Sequence, residues 1–158
     1  MIYATLMDTD FGTLYLQADD CGLTQIRMAT PADKPTSATS VFIAQAQSQL
    51  QAYLLGQRQT FELTLNPVGT DFQRSVWREL QRIPFGKTIS YLELSKRLGN
   101  VKAIRAAASA NGKNPILIVI PCHRVVGKEG ALVGFSAGLH VKKALLAIES
   151  PAPQQSLF

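Results

Sequence analysis

The sequence predicts an α+β protein built from two unlike parts, on three observations. Residues 1–30 alternate apolar and polar side chains with a period of two, as strands do. Beyond residue 70, apolar side chains recur at helical spacing between cap and stop residues. The charge changes sign at the same place. Residues 1–69 hold three Lys/Arg against six Asp/Glu, a net of −3, and residues 70–158 hold thirteen against five, a net of +8, within a chain total of +5. The expected organisation is a small α/β domain over 1–66, a mainly helical domain over 70–150 and a flexible tail over 151–158. An acidic part joined to a basic one points to a polyanion as the partner of the second.

The elements follow in order. "IYATLMDTDFGTLYLQADDCGLTQIRMA" holds three strand-like runs divided by "DTDFG" and "DDCG" turns. "TPADKPTSATS" is a polar loop with two prolines. Residues 41–56 read as a helix with Leu50, Tyr53 and Leu54 on one face and Gly56 as its stop. A short strand, "TFELTL", precedes the linker "NPVG". In the second part, Thr70 or Asp71 caps "DFQRSVWRELQRI", where Phe72, Val76, Leu80 and Ile83 form the inward stripe and Arg74, Arg78 and Arg82 face out. "PFGK" turns the chain into "SYLELSKRLG", capped by Ser90 and stopped by Gly99. A tight "GNVK" connection then leads into "AIRAAASAN". Two short helices around a glycine-containing turn in a basic region have the spacing of a helix-turn-helix. "NGKNPILIVIPCHRVVGKEG" reads as a turn, a buried strand and a second turn that begins at Pro121.

Composition narrows the classes. Apolar residues at 46% and charged residues at 17% suit a packed chain of 158 residues. The longest apolar run, "PILIVI", is strand-sized, so no membrane span is expected, and "MIYATLMDTDFG" does not read as a signal peptide. Cys21 and Cys122 lie far apart, which fits free thiols in a reducing cytoplasm. With only these two and His123 and His140 as soft ligands, unpaired in spacing, no metal and no cofactor are expected.

Two stretches carry chemistry. "AIRAAASAN" has one cation, Arg105, among small residues, whereas a helix that reads the major groove carries long polar side chains. The alanines serve helix propensity and close packing on one reading. On the other, they make a helix slim enough for the minor groove, where sequence is poorly read. "IPCHRVVG" places Cys122 after a proline that ends regular structure, with His123 beside it. A thiol needs a base or a cation to become a nucleophile, and a carboxylate to orient that base. Taken alone, a Cys-His pair also fits a structural cysteine.

The chain resembles the O6-alkylguanine-DNA alkyltransferases at this point. "NGKNPILIVIPCHRV", "GFSAGLHVKKALLAIE" and "FQRSVWRELQRIPFGKTISYLELSKRLG" carry the likeness over residues 70–150. Residues 1–65 resemble the family in layout, a ribonuclease-H-like sheet and helix. The resemblance implies a winged helix-turn-helix domain that transfers an alkyl group from O6 of guanine in double-stranded DNA to Cys122, once per molecule, without a cofactor. His123 would take the thiol proton through a water, Glu149 would orient His123, and Tyr91 would donate to guanine N3 while helping the nucleotide rotate outward. Asn114 would brace the turn before the active-site strand. Lys102, Arg105, Ala106, Ala107, Ser109 and Ala110 would meet the minor groove, with Arg105 filling the space the base leaves. Pro121, Val125, Phe135 and Ser136 would line the pocket, and the backbone of Cys122 and Val125 would read the guanine amine. Phe135 stands where many members have tyrosine, and "GFSAG" is bulkier than loops with adjacent glycines, which bears on larger alkyl groups.

Three function classes remain to be separated: the single-turnover transferase, a lesion-flagging alkyltransferase-like binder, and a thiol hydrolase or redox protein. The intact "PCHRV" disfavours the binder, and the basic alanine-lined helix is unused by the hydrolase. The tail adds a partner. Gln154, Ser156, Leu157 and Phe158 in "QQSLF" resemble the bacterial sliding-clamp-binding pentapeptide. A cytoplasmic monomer is expected.

Overall fold

The computed structural model describes residues 1–127 and 135–150. The chain divides into two compact units. The first is Met1–Val68 with Pro115–Leu117, and the second is Gly69–Asn114 with the residues from Ile118 onward. The expectation of two contiguous segments is therefore corrected at Pro115–Leu117.

In the first unit, β1 (Tyr3–Thr9), β2 (Gly12–Ala18) and β3 (Leu23–Met28) form an antiparallel sheet in the order β1-β2-β3. The register runs from Thr9 opposite Gly12 to Tyr3 opposite Ala18. Leu14, Leu16 and Ala18 are buried with Leu23 and Ile26, so the period of two selects the face that packs. The turn "DDCG" is built by Asp19, whose Oδ1 accepts from the backbone of Cys21 (2.8 Å) and Gly22 (3.1 Å). α1 (Val41–Leu54) starts at Ser40, whose side chain accepts from Phe42 N. Its buried face is Ile43, Ala46, Leu50 and Tyr53; the expected Leu54, in the last turn, is only half-buried.

Two expected strands prove to be single bridges on the outer edge of β3. Leu65 pairs with Leu23, and Ile116 pairs with Ile26, both in parallel. The first is made by Leu23 N to Thr64 O at 2.9 Å and Asn66 N to Leu23 O at 2.7 Å, and further along β3 the edge is taken by Pro115–Leu117. The second is made by Ile26 N to Pro115 O and Leu117 N to Ile26 O, each 2.9 Å. It ends where Ile118 takes φ +72°, a conformation that a β-branched residue adopts only under constraint. "PILIVI" is buried as a core segment rather than as a strand.

The second unit contains α2 (Asp71–Leu80), β4 (Ile89–Ser90), α3 (Tyr91–Arg97), a 3₁₀ turn at Val101–Ala103, α4 (Ile104–Gly112), a 3₁₀ turn at Cys122–Arg124, β5 (Val125–Val126) and α5 (Leu139–Glu149). α2 opens with a reciprocal capping box between Thr70 and Gln73. Its stripe differs from the expected one. Phe72, in the first turn, is 40% exposed, and Trp77 is buried instead, its indole donating to the Ala110 carbonyl at 2.9 Å. A Cβ on Gly69 would collide with that indole. Ser90 caps α3 by accepting from Glu93 N, and Gly99 at φ +82° ends it. Asn100 then caps the 3₁₀ turn that leads into α4. β4 and β5 pair in parallel, Ile89 with Val125 and Ser90 with Val126, which ties the start of α3 to the strand that follows Cys122. No described helix is long and apolar enough to cross a membrane.

Candidate active site

Cys122 sits on a backbone corner that Pro121 creates. Pro121 (φ −83°, ψ 65°) has the dihedrals of an inverse γ-turn, and Cys122 N donates to Ile120 O at 2.8 Å across it. Arg124 N then donates to Pro121 O at 3.0 Å, so residues 122–124 form one 3₁₀ turn. The thiol is free and 2% exposed. Burial pushes it up to about 11, while the Asn114 side chain, the Lys142 charge and its own backbone N–H pull the other way. At rest this cysteine is protonated, with groups in place that favour its anion.

One of those groups is a fully buried lysine. Lys142 donates from Nζ to the Val125 carbonyl at 2.7 Å and lies 5.9 Å from the centre of the Phe135 ring. Burial lowers its pKa, and the Cys122 thiolate raises it.

Behind the thiol stands a relay with no exposed member. His123 Nε2 and Glu149 Oε2 are 2.7 Å apart, with side-chain exposures of 0% and 2%. Arg124 grips the same carboxylate with two prongs, Nε to Oε1 at 2.8 Å and Nη2 to Oε2 at 2.9 Å, and donates from Nη1 to the Ile83 carbonyl at 2.6 Å. A carboxylate held by an arginine is ionised and accepts, so Nε2 carries the hydrogen and Nδ1 is left as the basic nitrogen. Nδ1 is buried with no hydrogen-bond partner among the described residues. Burial lowers the histidine's pKa, outweighing Glu149, which raises it, so the ring is neutral. Gly86, at φ +80° in the "PFGK" turn, leaves room for the Glu149 carbonyl, which a Cβ would approach to 3.2 Å.

Tyr91 opens α3 and is half-buried. Burial raises its pKa, the Cys122 charge raises it further, and a hydrogen bond from Asn111 lowers it. Asn114 donates to the Ile120 carbonyl at 2.6 Å. Pro121 and Val125 are buried, Phe135 is 9% exposed, and Ser136 is exposed.

The α4 face requires a correction. Lys102, Arg105, Ala106 and Ser109 are exposed, but Ala107 and Ala110 are buried and present nothing to a ligand. Helical periodicity explains the split: 107, 110 and 111 share the inward side, where Ala110 also receives the Trp77 indole. The close-packing reading of the alanines holds for Ala107 and Ala110.

Three participants escaped the sequence reading. Arg124 was visible inside "PCHRV" but had no assigned partner. Lys142 lies seven residues before Glu149, on the same side of α5 with Leu145 between, so a lysine on the apolar stripe was the available signal. Asn111 looked like the last residue of an alanine helix, and nothing in its neighbours marked it. Residues 151–158, including the clamp-like Gln154, Ser156, Leu157 and Phe158, lie outside the described residues. No group of three His, Cys, Asp or Glu side chains among the described residues is placed to hold a metal ion.

Comparison with known proteins gives a consistent result. Residues 71–151 match the DNA binding domain of 6-O-methylguanine DNA methyltransferase, and residues 2–67 match its ribonuclease-like domain. The methylated-DNA–protein-cysteine methyltransferase of Methanosarcina acetivorans is 40% identical over 153 residues, spanning 94% of this chain and 98% of the relative. That of Mycolicibacterium paratuberculosis is 43% identical, covering 96% of each chain. The crystal structure of Mycobacterium tuberculosis O6-methylguanine methyltransferase superposes with a TM-score of 0.84 at 36% identity over all of both chains. The Mycobacterium tuberculosis OGT structure in complex with DNA superposes with a TM-score of 0.82 at 38% identity, over 94% of this chain and 95% of that one.

Proposed function

The chain belongs to the 6-O-methylguanine DNA methyltransferase family, and from that premise we propose that Cys122 is the residue that takes the alkyl group. The activity is repair of methylated DNA by transfer of the alkyl group to a protein cysteine. The observation that carries the residue assignment is the buried Cys122 thiol, on a turn shared with the His123–Glu149–Arg124 relay.

The step is a direct displacement. The Cys122 sulfur bonds to the alkyl carbon as the carbon–O6 bond breaks. His123 Nδ1 takes the thiol proton through a water, and Tyr91 donates to guanine N3, so that the base leaves neutral. The proton on the imidazole returns to the phenol, and the thiol's proton thus ends on guanine. Lys142 supports the sulfur anion as it forms. A thioether is a stable product, so each molecule acts once. The carbonyls of Cys122 and Val125 read the 2-amino group.

The base reaches a buried thiol only by leaving the stack. The exposed side of α4 supports that: Ala106 and Ser109 are small enough for the minor groove, and Arg105 projects to fill the gap. The thiol hydrolase reading leaves this face without a use. A Cys122→Ser variant should transfer nothing while still binding alkylated duplex with salt-sensitive affinity. Loss of both activities would make Cys122 a folding residue and overturn the assignment.

The tail supports a second partner. Gln154-Gln155-Ser156-Leu157-Phe158 agrees with the sliding-clamp peptide at four of five positions, with Leu157 and Phe158 as apolar anchors. Removing residues 154–158 should abolish capture by an immobilised clamp and leave single-turnover transfer intact. Clamp binding that survives the deletion would end this reading.

A further inference from the structure

The two carbonyls that face the base are each held by a buried side chain. Val125 O accepts from Lys142; Cys122 O accepts from Val125 N of its own turn and, at 3.5 Å, from Asn111 Nδ2. Asn111 is 1% exposed on the inward side of α4, and its amide also donates to the Tyr91 phenol. Its orientation follows from its neighbours, because turning the amide over would set two carbonyl oxygens against each other. Its Oδ1 is left buried with no partner among the described residues. An amide kept only for packing would have both ends satisfied, and an apolar residue of the same size would serve better. A polar residue retained at that cost has work on its other end.

We infer that Asn111 is a positioning residue for the transfer, aiming the Cys122 carbonyl and the Tyr91 hydroxyl at one edge of the guanine and so setting the preference for a base with a 2-amino group. This rests on the assignment of Cys122 and Tyr91 given above. A hydroxyl whose oxygen already accepts from an amide keeps its hydrogen for another acceptor, and guanine N3 is that acceptor. The adjacent carbonyl, which the other amide hydrogen shares with the Val125 N–H of its turn, meets the 2-amino group beside N3. One side chain thus sets the contact to N3, which every purine has, and the contact to the 2-amino group, which distinguishes guanine from a purine without the amine.

The test compares single-turnover transfer on duplexes carrying O6-methylguanine or O6-methylhypoxanthine, which lacks the 2-amino group. Wild-type protein is first checked for methyl gain on Cys122; its absence there would fail the underlying assignment rather than this one. Asn111→Leu should lose about tenfold on O6-methylguanine, the worth of one hydrogen bond, and clearly less on the hypoxanthine lesion. In a Tyr91→Phe background the same change should add less than its full effect. The melting temperature should hold or rise, because the unpaired Oδ1 is gone. Equal losses on both lesions, full additivity with Tyr91→Phe, or undiminished transfer would each overturn the inference. If Asn111→Leu does not fold, Asn111→Ala, which leaves space instead of bulk, is judged by the same criteria.

Discussion

Each unit of this protein contains an arginine gripping a carboxylate with two prongs, and the two pairs serve different ends. In the first unit Arg27 meets Asp33 at 2.7 and 2.8 Å and lies 4.2 Å above the Tyr15 ring. Asp33 also accepts from the backbone of Thr30, so the pair closes the polar loop after β3, and the arginine side chain stays 40% exposed. In the second unit Arg124 meets Glu149 side-on, through Nε and Nη2, but both are buried and the carboxylate has a second partner, His123. The surface pair fastens a loop. The buried pair sets the charge and tautomer of a histidine. Burial is the main difference, because water screens the first pair and screens the second much less.

That contrast breaks most severely at Glu149. Glu149→Ala leaves the Arg124 guanidinium buried without its counter-charge, and unfolding in denaturant should show a loss of about 3–5 kcal/mol, with transfer abolished. Asp33→Asn should cost far less and leave transfer unchanged. Similar destabilisation by the two would erase the distinction drawn between them.

A smaller effect separates the relay from the DNA face. Arg105→Ala should slow repair in duplex by roughly tenfold or more, since the extruded base is no longer replaced in the stack. Reaction with free O6-benzylguanine, which has no stack to leave, should be unaffected. Equal losses on both substrates would remove Arg105 from the extrusion step.

The smallest effect is on pH. Buried His123 is held below its ordinary pKa, so the unfolded chain binds its proton before the folded one does. Its contribution to stability is complete above the ordinary histidine pKa and is lost as the pH falls through the lower, folded value. The transfer rate should therefore stay flat between about pH 7.5 and about pH 6, where an exposed histidine would titrate. A rate that halves near the ordinary histidine pKa would mean that the ring is open to water.

How much of this was legible beforehand depended on whether a residue's role is local. Helix caps at Ser40, Thr70 and Ser90 and the stop at Gly99 are short-range rules, and they were readable. So was the corner at Pro121. The edge bridges of Leu65 and Ile116 were misread as strands because an apolar run reports burial, while a ladder also needs a continuous partner edge, and the two segments divide the edge of β3 between them. Trp77 was missed as a buried residue of α2 because its indole bonds a distant carbonyl, that of Ala110. Arg124, Lys142 and Asn111 were missed for one shared reason. Each is a polar residue whose partner is remote in sequence or is a backbone carbonyl, which no side-chain motif displays.

The central claim is that Cys122 itself receives the alkyl group, once. Excess duplex carrying O6-methylguanine should raise the intact protein's mass by a single methyl group, with the gain confined to the peptide that contains Cys122 and no further increase on longer incubation. A folded protein that clears the lesion while its Cys122 peptide stays unmodified, or that turns over more than once, would contradict the account.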